Sequence, residues 1–289
     1  MIYRRRATPL HSARAGAGAS YCAALATAAL VLSNPVALGA VLVAVLAAGH
    51  AAGVGRDLRR AALWGVPLAL AIGGVNALVS RNGLTVIARL GDLPVLGQTD
   101  ITLEATVYGA ILGLRAVVLI LCGVLYTIAV DPDEVLMGLR RVSYHSALSA
   151  TLATRMVPVL IRDGRRLADA QRCRPGRPPS RVALMRAACS GVLDRALDVA
   201  AALEVRGYGA RRPARHRSAR APLSRHDLGF GAAAAALLAL AVAARVAGAV
   251  PFAAYPALRC PAGAGVLAVS AGLLVCALVP FADRRGVRG

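Results

Sequence analysis

Residues 181–207 read RVALMRAACSGVLDRALDVAAALEVRG, and a run of similar design precedes them at residues 157–174. In each run one set of residues recurs at alternating steps of three and four and ends in an arginine. The first set is Val157, Leu160, Gly164, Leu167, Gln171 and Arg174, and the second is Val182, Met185, Cys189, Val192, Ala196, Val199, Leu203 and Arg206. Such spacing places each set on one face of a helix, where it can pack on another helix. These sets, the first seam and the second seam, predict two amphipathic helices.

The ends of both predicted helices carry residues that start or stop a helix. The sequence Asp131-Pro132-Asp133-Glu134 opens a helix with proline in its first turn and with acids that the helix dipole favours. Pro175 pushes the residue before it out of the helical region, so the helix of the first seam is predicted to end there. Ser180 is a suitable cap for the next helix, and Gly207 supplies the left-handed conformation that ends it.

Long apolar blocks lie on either side of these helices. Of the 289 residues 57% are apolar, and the mean hydropathy is +0.61, which is typical of a polytopic membrane protein. The blocks cover residues 20–32, 35–52, 61–80, 105–130, 228–250 and 261–281. The first two are short and are separated by Ser33-Asn34-Pro35, which predicts a tight helical hairpin, and residues 81–103 are predicted to form a loop of mixed charge. The fold class is therefore predicted as all-α, with about six transmembrane helices and two long cytoplasmic helices.

The basic residues are all arginine, and they cluster. The chain has 34 of them and a formal net charge of +20, and between residues 131 and 225 nineteen arginines outnumber eight acids. Because cytoplasmic loops collect basic residues, we predict that this segment and both termini lie in the cytoplasm, with the protein in the cell (inner) membrane. The predicted regions are a membrane region of about four helices at 1–130, a coupling region at 131–225 and a membrane region of about two helices at 226–289.

Several classes of function lack the residues that they need. A phosphate-binding loop of the G-x-x-x-x-G-K-[ST] type requires a lysine, and the chain has none, so we predict that it is not itself an ATPase. The chain also has no G-x-S-x-G sequence, so hydrolases of that type are excluded. The six cysteines and five histidines have no metal-ligand spacing, so neither a metal site nor a cofactor is predicted. Nucleic-acid binding is not expected, because the basic segment lacks interleaved aromatic residues. The first apolar block is expected to stay as an anchor rather than to be cleaved.

Several short motifs occur in a specific order along the chain. Residues 202–208, ALEVRGY, resemble the Ala-Arg-Gly signature of the transmembrane T component of energy-coupling factor (ECF) transporters, the EcfT/CbiQ family, and residues 170–174, AQRCR, resemble its first copy. Other matching pieces are Thr8-Pro9-Leu10-His11, Gly74-Val75-Asn76, Ile101-Thr102-Leu103-Glu104, Gly113-Leu114-Arg115, Asp131-Pro132-Asp133-Glu134 and Arg155-Met156-Val157-Pro158. The resemblance therefore covers nearly the whole chain.

This resemblance implies a scaffold, not an enzyme, that joins a substrate-binding membrane subunit, the S component, to two cytoplasmic ABC-type ATPases. In the family, two coupling helices end in arginines that sit in grooves on the ATPases. The corresponding positions here are Arg174, Arg206, Gly207, Glu204 and Gln171. The resemblance further implies uptake of a vitamin or of a cobalt or nickel ion, selected by the S component. The chain departs from the signature at Cys173-Arg174-Pro175, where Ala-Arg-Gly is expected, and at Val205, which replaces an alanine.

Polar residues within the apolar blocks are the next candidates. Arg115 lies inside the block 105–130, where an arginine at mid-depth costs about 2.5–3.5 kcal/mol on insertion scales. We therefore predict a buried polar pairing with Asn76 or Glu104 rather than exposure to lipid. Arg155 and Pro158, which belong to a matching motif, complete the set of predicted interior or structural positions.

Two glycine pairs have a spacing that suits close helix packing. They are Gly109-xxx-Gly113 and Gly49-xxx-Gly53. Small residues four apart let two helix backbones approach each other in a membrane. We read them as candidate packing sites, in a chain whose 29 glycines also produce such pairs by chance.

Other functions fit parts of the sequence. An integral-membrane enzyme acting on a lipid or prenyl substrate would hold a metal ion with Asp163 and Asp169 or with Asp194 and Asp198, although arginines crowd these acids. A basic membrane-anchored module would collect anionic lipid or nucleic acid. The simplest interpretation of Arg174 and Arg206 is that each cation interacts with the dipole of its own helix, which contributes under about 1 kcal/mol.

Overall fold

The computed structural model describes residues 8–80, 85–93, 97–139, 144–173, 181–207, 224–254 and 263–283. In order, the elements of this described part are α1 (Pro9–Ser12), α2 (Ala15–Val31), α3 (Pro35–Ala51), α4 (Gly55–Val79), β1 (Val86–Leu93), β2 (Gly97–Thr102), α5 (Leu103–Ala129), α6 (Pro132–Leu139), α7 (Tyr144–Arg172), α8 (Arg181–Val205), α9 (Arg225–Val246) and α10 (Ala264–Ala282). The predicted class of a helical, polytopic membrane protein is confirmed.

Each predicted apolar block contains a helix, but the helices differ in length. Within the described residues α4, α5, α9 and α10 are long and apolar enough to cross a membrane. The hairpin helices α2 and α3 have 17 residues each, which at 1.5 Å per residue is about 25 Å, less than the hydrocarbon thickness of about 30 Å. The tip of this hairpin therefore stops short of the ends of its longer neighbours.

The chain divides into two compact units. The membrane unit comprises Met1–Val135 and Leu223–Gly289, and the arginine-rich unit comprises Leu136–Pro222. In the membrane unit α4 packs on α5, α2 packs on α9, and α10 packs on both α3 and α9. In the arginine-rich unit α7 packs on α8.

An aromatic cluster ties together three helices of the membrane unit. The rings of Tyr21, Phe230 and Phe281 meet edge to face, with centroids 5.3 Å apart between Tyr21 and Phe230 and 5.2 Å apart between the two phenylalanines. The Tyr21 hydroxyl donates to the carbonyl of Ala277 at 2.8 Å, which satisfies its polar group inside the core. This arrangement fixes α2 against α9 and α10.

The N-terminus of α2 is capped by acids from distant parts of the chain. Its own cap residue, Arg14, makes no side-chain cap bond, but the Arg14 amide donates to Asp227 of α9 at 2.6 Å. The next amide, that of Ala15, donates to the carboxylate of Glu134 in α6 at 2.9 Å. Negative charge is favourable at this end of a helix, so both acids stabilise the start of α2 and join it to α6 and α9.

The loop predicted for residues 81–103 is wrong over most of its described part, because residues 86–93 and 97–102 pair as the two strands of an antiparallel hairpin. Strand β1 pairs with β2 from Val86 opposite Thr102 to Leu93 opposite Gly97, with irregular register between. The β-branched residues Val86, Ile87 and Thr102 favour a strand, and the mixed charges between them conceal this signal. The hairpin leads directly into α5, since the Leu103 amide donates to the Thr85 carbonyl at 2.9 Å.

Candidate functional site

The C-terminal end of α8 carries the motif on which the predicted function depends. The last helical residue is Val205, and the Arg206 amide still donates to the carbonyl of Ala202 at 3.3 Å. Gly207 follows with a φ of 76°, a left-handed conformation that favours glycine, and its amide donates to the Glu204 carbonyl at 2.8 Å. Arg206 and Glu204 are both exposed. The helix thus ends at the predicted glycine and leaves a cation accessible at its tip.

The first copy of the motif is only partly within the described residues. Helix α7 ends at Arg172, and the amide of Cys173 donates to the Asp169 carbonyl at 3.2 Å. Gln171 is half-buried in the last turn. Arg174, together with Pro175 and Ser180, lies outside the described residues, so its predicted role stays a prediction.

The two seams differ in how many of their predicted members are half-buried. On α7 the half-buried residues include Leu160, Gly164, Leu167 and Gln171, as the first seam predicts, whereas Val157 is exposed. On α8 the half-buried line is Ala188, Val192, Arg195, Val199 and Leu203, while the predicted members Val182, Met185, Cys189 and Ala196 are exposed. The second seam is therefore corrected toward Arg195.

An ion pair explains this rotation of α8. The Arg195 guanidinium on α8 donates to the carboxylate of Asp163 on α7, and both side chains are about one third exposed. The hydrogen bond from Arg195 is the main cause that lowers the pKa of Asp163 below its ordinary value, followed by the attraction of Arg195, Arg166 and Arg162. Because Arg195 must reach α7, Arg195 rather than Ala196 faces the helix contact.

The acids proposed for a metal-dependent enzyme are not assembled into a metal site. Asp163 is engaged by Arg195, and Asp169 pairs with Arg172 at 3.6 Å on the same helix. Asp194 and Asp198 are exposed. Over the described ranges no group of three histidine, cysteine or acidic side chains is positioned to hold a metal ion.

The arginine-rich unit exposes large apolar side chains. On α8 these are Val182, Met185, Leu193, Leu197 and Val205. Their exposed fractions run from 65% to 90%. At 100° per residue Val182, Leu193 and Leu197 fall within about 60° of each other around the helix. A concentration of this kind on one polar unit is typical of a surface that another protein covers.

The interior polar residues do not pair with one another as predicted. Arg115 donates through Nη2 to the Leu32 carbonyl at 3.1 Å and to the Ser33 hydroxyl at 3.5 Å. Glu104 is buried and accepts from the Thr85 amide and, at 2.9 Å, from the Thr85 hydroxyl. Asn76 Oδ1 is buried and has no hydrogen-bond partner among the described residues. The predicted pairing of Arg115 with Asn76 or Glu104 is therefore wrong.

The reason lies in the length of α2. The last carbonyls of a helix have no partner within it, and α2 ends at Val31, level with Arg115 in the middle of α5. The carbonyl of Leu32 is thus available as an acceptor where Arg115 needs one. No local sequence pattern encodes that match of depth between two helices.

Arg155 and Pro158 are exposed on α7, which corrects their predicted interior placement. At 100° per residue they fall on the side of the helix opposite the line of Leu160 and Gly164. The motif that contains them therefore lies on a surface of the arginine-rich unit.

Close packing at one predicted glycine pair is confirmed. A Cβ on Gly109 would lie 2.8 Å from the Gly73 carbonyl oxygen, and a Cβ on Gly113 would lie 2.6 Å from the Ala69 carbonyl oxygen, both in α4. Only glycine permits this approach of the backbones of α4 and α5. In the other pair Gly49 contacts the side chain of Leu58, and Gly53, with a φ of 72°, forms the turn between α3 and α4.

Comparison with known proteins gives one family match. The model of the CbiQ family, described as cobalt transport protein, matches residues 6–216, which is more than two thirds of the chain. No curated protein shows a significant match to the chain. The match includes α1 to α8 and therefore the helix end at Arg206 and Gly207.

Proposed function

We propose a function from one premise: the chain belongs to the CbiQ family of cobalt transport proteins. It is accordingly a membrane protein and a component of a transporter. The proposal is that it is the scaffold subunit of an ECF-type ABC importer. In this role it joins a separate substrate-binding membrane subunit to two cytoplasmic ATPases, with the arginine-rich unit and both termini on the cytoplasmic side of the cell membrane.

One observation carries the proposal most strongly, namely the exposed Arg206 at the glycine-terminated end of α8. A cation that served only the helix dipole would need no apolar surroundings. Here Val205, which is 90% exposed, lies next to it, and Leu193 and Leu197 are exposed on the same helix. At 100° per residue Leu193 and Leu197 lie on the other side of α8, so Val205 is the exposed apolar residue that adjoins Arg206. Arginine is enriched among the residues that dominate interface energetics.

The energetics of such an anchor give a measurable effect. A guanidinium docked in a groove of the ATPase would be desolvated and held by charge-assisted hydrogen bonds. Truncation of a buried charged partner typically costs about 2–5 kcal/mol, or about 30-fold and more in affinity. Truncation of an arginine that stays in water would cost almost no binding free energy.

The transported solute is proposed from the family description, which names cobalt. The metal ion would be recognised by the separate membrane subunit and not by this chain. Uptake of labelled cobalt by cells that express the complete transporter, with nickel and vitamins as competitors, tests the assignment. Uptake of a vitamin with no competition from cobalt would contradict it and leave the scaffold role intact.

The test of the scaffold role is a substitution at the helix end. Arg206→Ala should weaken co-purification of the ATPases by about 30-fold or more and nearly abolish uptake, with normal abundance in the membrane. The matched control is Arg165→Ala, an exposed arginine on α7 that has no ion pair within the described residues. Equal binding and uptake by the two variants would refute the role of Arg206.

The enzyme acting on a lipid or prenyl substrate is the weaker alternative. Its best acid, Asp163, is ion-paired with Arg195, and this pairing supports a structural role for the acid. The substitution Asp163→Asn separates the two ideas, since loss of a metal ligand would abolish an activity that requires the metal.

A further inference from the structure

A cavity of about 480 Å³ lies inside the membrane unit, between the tip of the α2–α3 hairpin, the end of α4, the first half of α5 and the segment after α9. Its polar lining comes from Ser33, Ser80, Tyr108 and Arg115, and Phe252 contributes an aromatic ring. This volume falls in the range of about 300–1,000 Å³ that is usual for small-molecule sites.

The cavity exists because neighbouring helices differ in length. The α2–α3 hairpin ends at Ser33 and Asn34, whereas α5 begins at Leu103, twelve residues before Arg115. Twelve residues of helix correspond to about 18 Å, so α5 and α4 extend well beyond the hairpin tip and leave space above it. Arg115 lines this space at the level of the hairpin tip.

The cavity and the link to the arginine-rich unit are at opposite ends of α2. At its N-terminus the Ala15 amide bonds to Glu134, directly before the chain enters that unit, and just beyond its C-terminus the Leu32 carbonyl bonds to Arg115. The cavity therefore lies at the end of α2 that is remote from Glu134.

Within the described part of the chain, Arg115 has no acidic partner. Its two hydrogen-bond acceptors, the Leu32 carbonyl and the Ser33 hydroxyl, are both neutral. Its Nε is buried without a hydrogen-bond partner, and no acidic side chain of the described residues pairs with it. A cation held at membrane depth without a counter-charge is costly, so an anion that enters the cavity gains a strong interaction.

We propose that this cavity binds a phosphate group. The planar guanidinium presents several N–H donors in a geometry that fits phosphate oxygens. The Ser33 hydroxyl accepts from Arg115 and retains its own hydrogen for donation to an anion. The phosphate belongs either to the headgroup of an anionic phospholipid or to free inorganic phosphate, and the chemistry of recognition is the same for both.

Two measurements on the purified full chain distinguish these sources. Native mass spectrometry after exchange into phosphatidylglycerol or phosphatidylcholine measures retention of lipid. Thermal unfolding in a neutral detergent, with inorganic phosphate titrated against chloride at equal ionic strength, measures binding of the free anion. Preferential retention of phosphatidylglycerol assigns a headgroup, a rise of Tm with inorganic phosphate assigns the free anion, and both together assign the shared chemistry. If the unaltered protein shows neither effect, the proposal is overturned.

Variants of Arg115 and Ser33 test whether these residues bind the phosphate. Arg115→Gln should lower retention or phosphate affinity about tenfold or more, since a charge-assisted pair is lost. The control is Arg245→Gln, an exposed arginine in the last turn of α9, which should behave as the unaltered protein does. If Arg115→Gln does not fold, Ser33→Ala keeps the charge and should lower binding by a smaller factor. Unchanged binding in every Arg115 and Ser33 variant that folds contradicts the assignment.

Discussion

The helix contacts of the two units differ in how closely glycines let the backbones approach. In the membrane unit Gly109 and Gly113 let the backbone of α5 approach α4 to contact distance, whereas in the arginine-rich unit Gly164 and Gly191 have open space beside them among the described residues. Large apolar residues differ as well, since the membrane unit has a core of fully buried leucines such as Leu121, Leu125 and Leu237. The membrane unit also exposes large apolar residues, such as Trp64 and Leu70, on a helix that is long and apolar enough to cross a membrane. The membrane unit therefore packs around a core of its own and exposes apolar residues on surfaces that suit lipid, whereas the exposed apolar residues of the polar, arginine-rich unit suit contact with another protein.

The largest effect is expected at the closest helix contact. Gly113→Ala places a methyl group 2.6 Å from the Ala69 carbonyl oxygen, so α4 and α5 must separate. Overpacking of this kind typically costs about 1–3 kcal/mol. Thermal unfolding in detergent should show a lower Tm than for Gly123→Ala, an exposed glycine on the same helix with open space. Equal Tm values would show that the contact does not determine stability.

The corresponding change in the arginine-rich unit should have the opposite sign. Gly164→Ala meets no atom within 4 Å in the described part, and alanine favours a helix over glycine by about 0.5–1 kcal/mol. Hydrogen exchange of the α7 amides should therefore slow slightly. Faster exchange would mean that α7 already packs closely at this glycine, and the comparison between the units would fail.

A smaller effect is expected where α6 caps α2. Glu134→Gln removes the negative charge that accepts from the Ala15 amide, and such a charge at a helix N-terminus is worth about 0.3–1 kcal/mol. Asp133→Asn is the matched control, because Asp133 is exposed in the same turn. Hydrogen exchange of the first turn of α2 should increase in the first variant only, and the same increase in both would indicate a general loss of charge.

The pair between Asp163 and Arg195 should give the smallest effect. Because its pKa is lowered in the folded protein, Asp163 contributes stability above its unfolded pKa, and this contribution is lost as the pH falls through the folded value. Asp163→Asn should therefore loosen α7 and α8 at neutral pH but change little in strong acid, as followed by hydrogen exchange. Asp198→Asn, at an exposed position of α8, should leave the exchange of α7 and α8 unchanged at both pH values. A pH-independent effect of Asp163→Asn would point to packing instead.

The features that the sequence could predict are local ones. The end of α8 at Gly207 depends on the conformation of a single glycine, and the contact at Gly113 depends on a missing side chain, so both can be read from a short stretch. The hydrogen-bond acceptors of Arg115 could not be predicted from a short stretch, because they depend on the length of α2 relative to α5. The second seam differs from the observed contact face of α8 for a related reason, since the ion pair of Arg195 joins residues 32 positions apart.

The central claim is that the surface of the arginine-rich unit becomes an interface when the ATPases bind. Its exposed cysteines, Cys173 at the end of α7 and Cys189 on α8, report on this directly, while Cys22 and Cys122 are buried in the membrane unit. Peptide-resolved maleimide labelling should be fast at Cys173 and Cys189 in the protein alone. With the ATPases bound we expect labelling of Cys173, and to a lesser extent Cys189, to slow about tenfold or more, and Arg206→Ala should restore the fast rate at the same ATPase concentration. Unchanged labelling of both cysteines in a complex that contains the ATPases would contradict the account.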